Sequence, residues 1–260
     1  MTESPPVLLA EEHGDVLLLT LNRPAKHNAL NREVNEALGR AVMNAERSGA
    51  RAIVITGAGE RAFSAGADMT ERERTMAPSD EATGTAQVPA SRGGRSSIAT
   101  THLPVIAAVN GICYGGGAAL AIGCDLRVAS ENATFRLPGS QYGLVVAAST
   151  LPRLVGAAKA KEYLFLAKVV DAEEALRSGL VNAVYPQREL VPAALEMAQT
   201  IAGFSVEAVQ STKRVIDLAT LSDDSQAEEV RANRALRGSP EQVERFAAAA
   251  KRVTGKASTG

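Results

Sequence analysis

Two short apolar runs open the chain, residues 7–10 and 16–21, joined by His13-Gly14-Asp15. Short apolar runs around a turn predict a pair of β-strands, and Asn22-Arg23-Pro24 ends the second. The period then changes. Asn31 suits a helix N-cap, and Val34, Leu38, Ala41, Val42 and Ala45 recur at helical spacing up to Gly49. Residues 52–56 are an unbroken apolar run closed by Gly57-Ala58-Gly59, a further strand. Phe63-Ser64-Ala65-Gly66-Ala67-Asp68 follows, with small residues where a strand would otherwise run on. Residues 69–97 lose the pattern. They are polar, hold four Arg and contain Pro78, Pro89 and Gly93-Gly94, which predicts a mobile loop or broken helix over a site.

The sharpest signal lies at 105–117. Val105-Ile106-Ala107-Ala108-Val109 is apolar without alternation, as in a strand buried on both faces. Asn110-Gly111 signals a turn, and Gly115-Gly116-Gly117 opens a helix predicted to reach about residue 122. A strand feeding a glycine-rich helix start offers free N–H groups to a negatively charged oxygen. The same glycines equally permit close helix–strand packing, and the motif alone leaves both readings open.

Beyond it, 125–129 predicts a strand, 147–166 a helix broken by Pro152 and Gly156, and Asp171 caps a short helix to Ser178. Residues 180–184 return as a strand. From 189 the chain reads as helices at about 189–203, 205–219, 223–237 and 240–252. Strand–helix alternation followed by helices implies an α/β core, residues 1–195, and a helical C-terminal region, residues 196–260.

Composition narrows the class. With 260 residues, 45% apolar and 22% charged, this is an ordinary globular chain. Aromatics are 3% and Trp is absent, so Ala, Val, Leu and Ile must build the core. A net charge of -1 gives no basic field for nucleic acid. The glycine-broken 103–123 region does not read as membrane-spanning, and no secretory signal is visible. Cys113 and Cys124 sit in apolar surroundings and are expected as free, buried thiols, consistent with the cytoplasm. His13, His27 and His102 are scattered singly, so no metal site is expected.

Four segments together resemble the crotonase (enoyl-CoA hydratase/isomerase) superfamily. They are Leu21-Asn22-Arg23-Pro24 with Asn28-Ala29-Leu30, Phe63 to Asp68, Pro104 through Gly117, and Cys124-Asp125 with Pro152-Arg153-Leu154, in the family's order. The resemblance implies an α/β fold with a repeated ββα spiral core and a helical C-terminal trimerisation region. It implies an acyl-coenzyme A thioester as substrate or ligand, no permanently bound cofactor, and a homotrimer or hexamer. It places two backbone N–H donors for a thioester oxyanion at Ala67 and Gly116, and such donors are usually the largest catalytic contribution. It lines the coenzyme path with the backbone of Ala65, Ala67, Asp68 and Met69. Lys26 and His27 would approach the phosphates, and Lys251 and Arg252 match a basic pair that reaches a neighbouring subunit's coenzyme. Asp68 and Asp125 also read as structural acceptors for backbone donors at turns.

The chain departs from the family where protons move. By resemblance, the two glutamates of hydratases would stand at Ala119 and Gly139, and the aspartate of dienoyl-CoA isomerases at Ala147. None of the three can titrate, so hydration by the two-glutamate route is not expected. Tyr142 is a candidate replacement, with Ser140, Gln141, Ser149, Thr150 and Tyr114 nearby in sequence and Glu71 and Glu73 on the following loop. Three outcomes stay open: isomerisation, decarboxylation or thioester cleavage leaning on the oxyanion hole; acyl-CoA binding without turnover; or weak hydration through another residue. Decarboxylation suits the gap because loss of carbon dioxide forms the enolate without a base.

Overall fold

The computed structural model describes residues 5–69, 71 and 94–254. Its strands are β1 (Leu8–His13), β2 (Val16–Leu21), β3 (Ala52–Gly57), β4 (Ala62–Ser64), β5 (Val105–Val109), β6 (Ile112–Tyr114), β7 (Leu126–Ser130), β8 (Thr134–Arg136), β9 (Val170–Asp171) and β10 (Ala183–Tyr185). Its helices are α1 (Arg32–Ser48), α2 (Gly94–Thr100), α3 (Gly116–Ile122), α4 (Pro152–Phe165), α5 (Ala172–Arg177), α6 (Leu190–Ala202), α7 (Val206–Thr220), α8 (Asp223–Leu236) and α9 (Pro240–Thr254).

The strands form two sheets. One runs β1-β2-β3-β5-β7-β10, parallel from β2 onward with β1 antiparallel at its edge. The other runs β4-β6-β8-β9, parallel except for β9. The pairs β3/β4, β5/β6 and β7/β8 each send the first strand to the large sheet and the second to the small one. This is the repeated ββα spiral expected from the resemblance.

Both faces of the large sheet are buried, which is why 52–56 and 105–109 show no alternation. On one face Leu19, Ile53, Ile55 and Ala107 meet α1 and the small sheet through Val34, Leu38 and Phe63. On the other, Val16, Val54, Ile106 and Val128 meet Leu190, Ala194, Ala198 and Ala202 of α6. The residue 195 boundary thus falls inside a helix packed on the sheet.

Polar bonds tie α7 to the core. Lys213 of α7 donates to Leu103 O and Asp125 Oδ2, both at 2.8 Å, and Asp217 pairs with Arg153 at 3.1 Å. Phe246 of α9 is buried.

Several expectations need correction. β1 runs on to His13, and the 180–184 strand is β10 at 183–185. The predicted 147–166 helix starts only at Pro152; its break at Gly156, with a φ of 76° and a ψ of 160°, is as expected. Ala147, inside the predicted helix, has a φ of 58°. β4, β6, β8 and β9 have no counterpart in the sequence reading, since two or three residues carry no readable period. Of the expected 69–97 loop, residues 94–97 belong to α2. Residues 70 and 72–93, Glu73 among them, lie outside the described residues.

Candidate active site

Three parallel strands of the small sheet end side by side, with Ser64 opposite Cys113 and Tyr114 opposite Arg136. The chain that leaves them is Ala65-Gly66-Ala67 from β4, Gly115-Gly116 from β6 and Leu137-Pro138-Gly139 from β8. Gly115 N–H donates to Arg136 O at 2.8 Å, fixing the second against the third. The carboxyl ends of parallel strands are where α/β sheets offer ligand sites.

The glycines answer to this crowding. Gly66 has a φ of 97°, and a Cβ there would stand 2.8 Å from Tyr114 O and 3.0 Å from Gly116 N. A Cβ on Gly117 would stand 2.4 Å from Ser64 O. Backbones that close admit no side chain. A Cβ on Gly116 would lie 3.5 Å from Ala67 N, so the two N–H groups at issue are neighbours.

Among the described residues neither N–H is used elsewhere. Leu30 N–H donates to Gly66 O at 2.7 Å and Asp68 N–H to Leu30 O at 3.1 Å, a parallel bridge that leaves Ala67 N–H facing away. Gly116 is the first residue of α3, where helical N–H groups have no partner. Among the described residues neither donates to a protein acceptor. Ala67 is exposed and Gly116 half-buried. Two free, adjacent donors at a strand–helix junction suit one oxygen that carries negative charge.

The Leu21–Leu30 motif builds the frame of this loop. Arg23 donates to Ala29 O at 2.7 Å and to Asp68 Oδ2 at 2.8 Å. Asn28, 1% exposed, donates to Ala58 O and Ala62 O and accepts from Arg23 N–H. Ala65 N–H donates to His27 O at 2.9 Å. Arg23 and Asn28 therefore position Ala65 to Asp68, a role visible only once residues 45 apart are seen together. Asp68 takes the structural part expected of it, and Asp125 likewise accepts from Val105 N–H at 2.7 Å.

Other candidates divide. Lys26 and His27 are exposed on the 3-10 turn Pro24–Lys26, and His27 borders an open groove of about 300 Å³ with Pro24, Gly59, Glu60 and Arg61. Met69 follows the loop half-buried. Lys251 is exposed on α9, and the Arg252 side chain lies outside the described residues. Tyr142 sits half-buried in the 3-10 turn Ser140–Tyr142, its N–H held by Pro138 O and Gly139 O. Gln141 accepts from Arg136 at 2.9 Å, and Thr134 donates to the Tyr114 hydroxyl at 3.3 Å. Glu71 accepts from Arg32 N–H at 3.0 Å, at the start of α1. Cys113 lies on β6 beside the glycines, but burial pushes its thiol well up, and burial puts Cys124 at about 12, so neither is a ready nucleophile.

The three untitratable positions differ in kind. Ala119 is half-buried on α3, one turn past Gly115, whose carbonyl accepts from its N–H. Gly139 is buried, and a Cβ there would stand 2.9 Å from Leu144 O and 3.1 Å from Val146 Cγ2. No carboxylate side chain fits at 139 without moving the 144–146 backbone. Ala147 is buried, and its N–H donates to Glu229 Oε1 at 2.9 Å.

Glu229 is the residue that sequence reasoning missed. It comes from α8 and also accepts from Ser149 N–H at 2.8 Å and Ser149 Oγ at 2.7 Å. One turn on, Asn233 accepts from Val145 N–H at 3.0 Å and donates to Val145 O. Nothing in a charged, exposed-looking helix announces a partner 82 residues away.

The enoyl-CoA hydratase/isomerase sequence profile matches residues 11–254. The short-chain-enoyl-CoA hydratase of Clostridium acetobutylicum is 36% identical over 214 residues, 81% of this chain and 80% of that protein. The crystal structure of a carnitinyl-CoA hydratase from Mycobacterium avium matches with a TM-score of 0.84 at 32% identity, covering 96% of this chain and 97% of that one. A monofunctional enoyl CoA isomerase from M. smegmatis matches with a TM-score of 0.68 at 32% identity, covering 83% and 94%.

Proposed function

The chain belongs to the enoyl-CoA hydratase/isomerase family, and from that membership we propose that it transforms an acyl-coenzyme A thioester by holding the carbonyl oxygen between the N–H groups of Ala67 and Gly116. The observation that carries this reading is the pair of adjacent, unused donors at the ends of β4 and β6. Negative charge collects on the carbonyl oxygen when the thioester enolate forms, and donors fixed in advance stabilise it without reorganising. Both donors are backbone, so the site needs small residues and a rigid frame, which Arg23, Asn28 and Leu30 supply. The coenzyme would run along the backbone of Ala65, Asp68 and Met69, with Lys26 and His27 toward its phosphates. Lys251 and Arg252 would act across a subunit boundary. Hydration by two glutamates is set aside, because Ala119 and Gly139 transfer no proton and Gly139 has no room for a longer side chain.

Calorimetric titration with butyryl-CoA and hexanoyl-CoA tests the binding, and turnover of enoyl-, malonyl- and β-ketoacyl-CoAs tests the chemistry. Ala67→Pro removes one donor and should lower the rate on the order of 10²–10³-fold with thioester binding retained. No binding of either thioester would refute the reading. Tight binding with no turnover would assign the protein to acyl-CoA capture, which the three untitratable positions also accommodate.

A further inference from the structure

We propose that Glu229 is the acid–base group of this site, delivered by α8 to the place where residues 119, 139 and 147 carry no titratable side chain. The proposal rests on the acyl-CoA reading above. Its geometry is a chain of contacts. Arg136 of β8 accepts from Gly115 N–H, Gly139 follows three residues on, Val146 lies against Gly139, and Glu229 holds the N–H of the next residue, Ala147. The carboxylate is therefore within about one side chain's length of the Ala147 Cβ. It is half-buried, and three protein donors fix its plane. A carboxylate has about four acceptor positions, so one on Oε1 stays free for a proton.

The three groups that Glu229 meets are all donors, spread over both of its oxygens, a pattern that a carboxylate satisfies and an amide would not. Asn233 ties Val145 to α8 with a neutral amide one turn away. What the three bonds to Glu229 leave unused is the remaining acceptor position on Oε1.

One carboxylate suits one reaction class. Hydration requires a group to activate water and another to manage the second proton. A 1,3-proton shift requires a single group that returns what it takes. Glu229 accepts the C2 proton of a 3-enoyl thioester as the C–H electron pair moves into the dienolate, whose oxygen rests on Ala67 and Gly116. The protonated Glu229 then delivers that proton to C4, and the electrons return to form the C2–C3 double bond. No water, oxidant or leaving group enters the balance. The site is then an enoyl-CoA isomerase, and the decarboxylase expectation loses its premise that no base is at hand.

The test uses purified full-length protein and cis-3-hexenoyl-CoA, followed by the absorbance of the conjugated product, with hexanoyl-CoA calorimetry alongside. Wild type should isomerise, and Glu229→Gln should lose about 10²-fold or more in kcat with the hexanoyl-CoA Kd unchanged. Adding Ala147→Asp to Glu229→Gln should restore about tenfold or more, since it returns a carboxylate to the same place and aspartate tolerates positive φ. A purely structural clip would not be rescued this way. If Glu229→Gln does not fold, Glu229→Asp replaces it, with a fall in kcat of about tenfold expected. Wild type that binds hexanoyl-CoA without isomerising, or a Glu229 variant with undiminished kcat, overturns this proposal and leaves the family reading standing. Wild type that binds no thioester overturns both.

Discussion

At the residue scale, glycine serves two separate purposes around the site, and substitution should separate them. Gly115 has a φ of 51° with open space where a Cβ would go, whereas Gly117 would drive a Cβ to 2.4 Å from Ser64 O and 2.7 Å from Ser64 Cβ. Gly115→Ala meets only backbone strain and should cost about 1–2 kcal/mol. Gly117→Ala must push β4 from α3, and should cost about 3 kcal/mol or leave no soluble protein. Thermal melts of the two variants check the order, and equal losses would mean that the close approach of β4 and α3 is wrong. The need for small residues at 65–67 and 115–117 was legible in the sequence. Which pairs they brought together was not. Arg23 and Asp68, or Ala147 and Glu229, meet across 45 and 82 residues, and a linear pattern contains no distance.

At the scale of elements, legibility follows length. α1 has Asn31 accepting from Val34 N–H at 2.9 Å and ends at Gly49 in the left-handed region, as its sequence predicts. β6 and β8 are three residues each and exist because β4 and the turns around them supply partners. A charge network joins α4 to α5. Arg177, Lys159 and the Tyr163 hydroxyl hold the Glu174 carboxyl down at about 2, from an ordinary 4.5. A carboxyl depressed on folding stabilises above its unfolded value and loses that contribution as the pH falls through its folded one. The melting difference between wild type and Glu174→Gln should therefore be full above pH 4.5 and vanish near pH 2. A difference that stays constant over that range would exclude the network as its source.

At the scale of the molecule, the last helices are unfinished surfaces. No residue of α7 or α8 is buried, yet Val215, Ile216 and Leu218 on α7 and Val230 on α8 are 54–77% exposed. Apolar surface of this kind is what a contact with another chain would cover. We expect a homotrimer, or two trimers paired into a hexamer, with Leu236 and Val243 joining the interface and Phe246 already spent on its own subunit. Light scattering on an eluting column checks this, and a monomeric mass would refute it. No helix among the described residues is long and apolar enough to cross a membrane.

The sequence by itself determined the alternation of strand and helix, the doubly buried run at 105–109, the two glycine-lined turns and the family. These are local or additive properties: side-chain period, φ tolerance, and motifs in a fixed order. It also determined that Ala119, Gly139 and Ala147 carry no titratable side chain. Only the tertiary structure decided that Ala67 and Gly116 stand side by side with no acceptor for their donors among the described residues. It likewise decided that Gly117 packs on Ser64 while, among the described residues, Gly116 keeps its N–H free for the oxygen proposed above. The carboxylate at Ala147 belongs to α8, and only a chain folded back on itself brings it there.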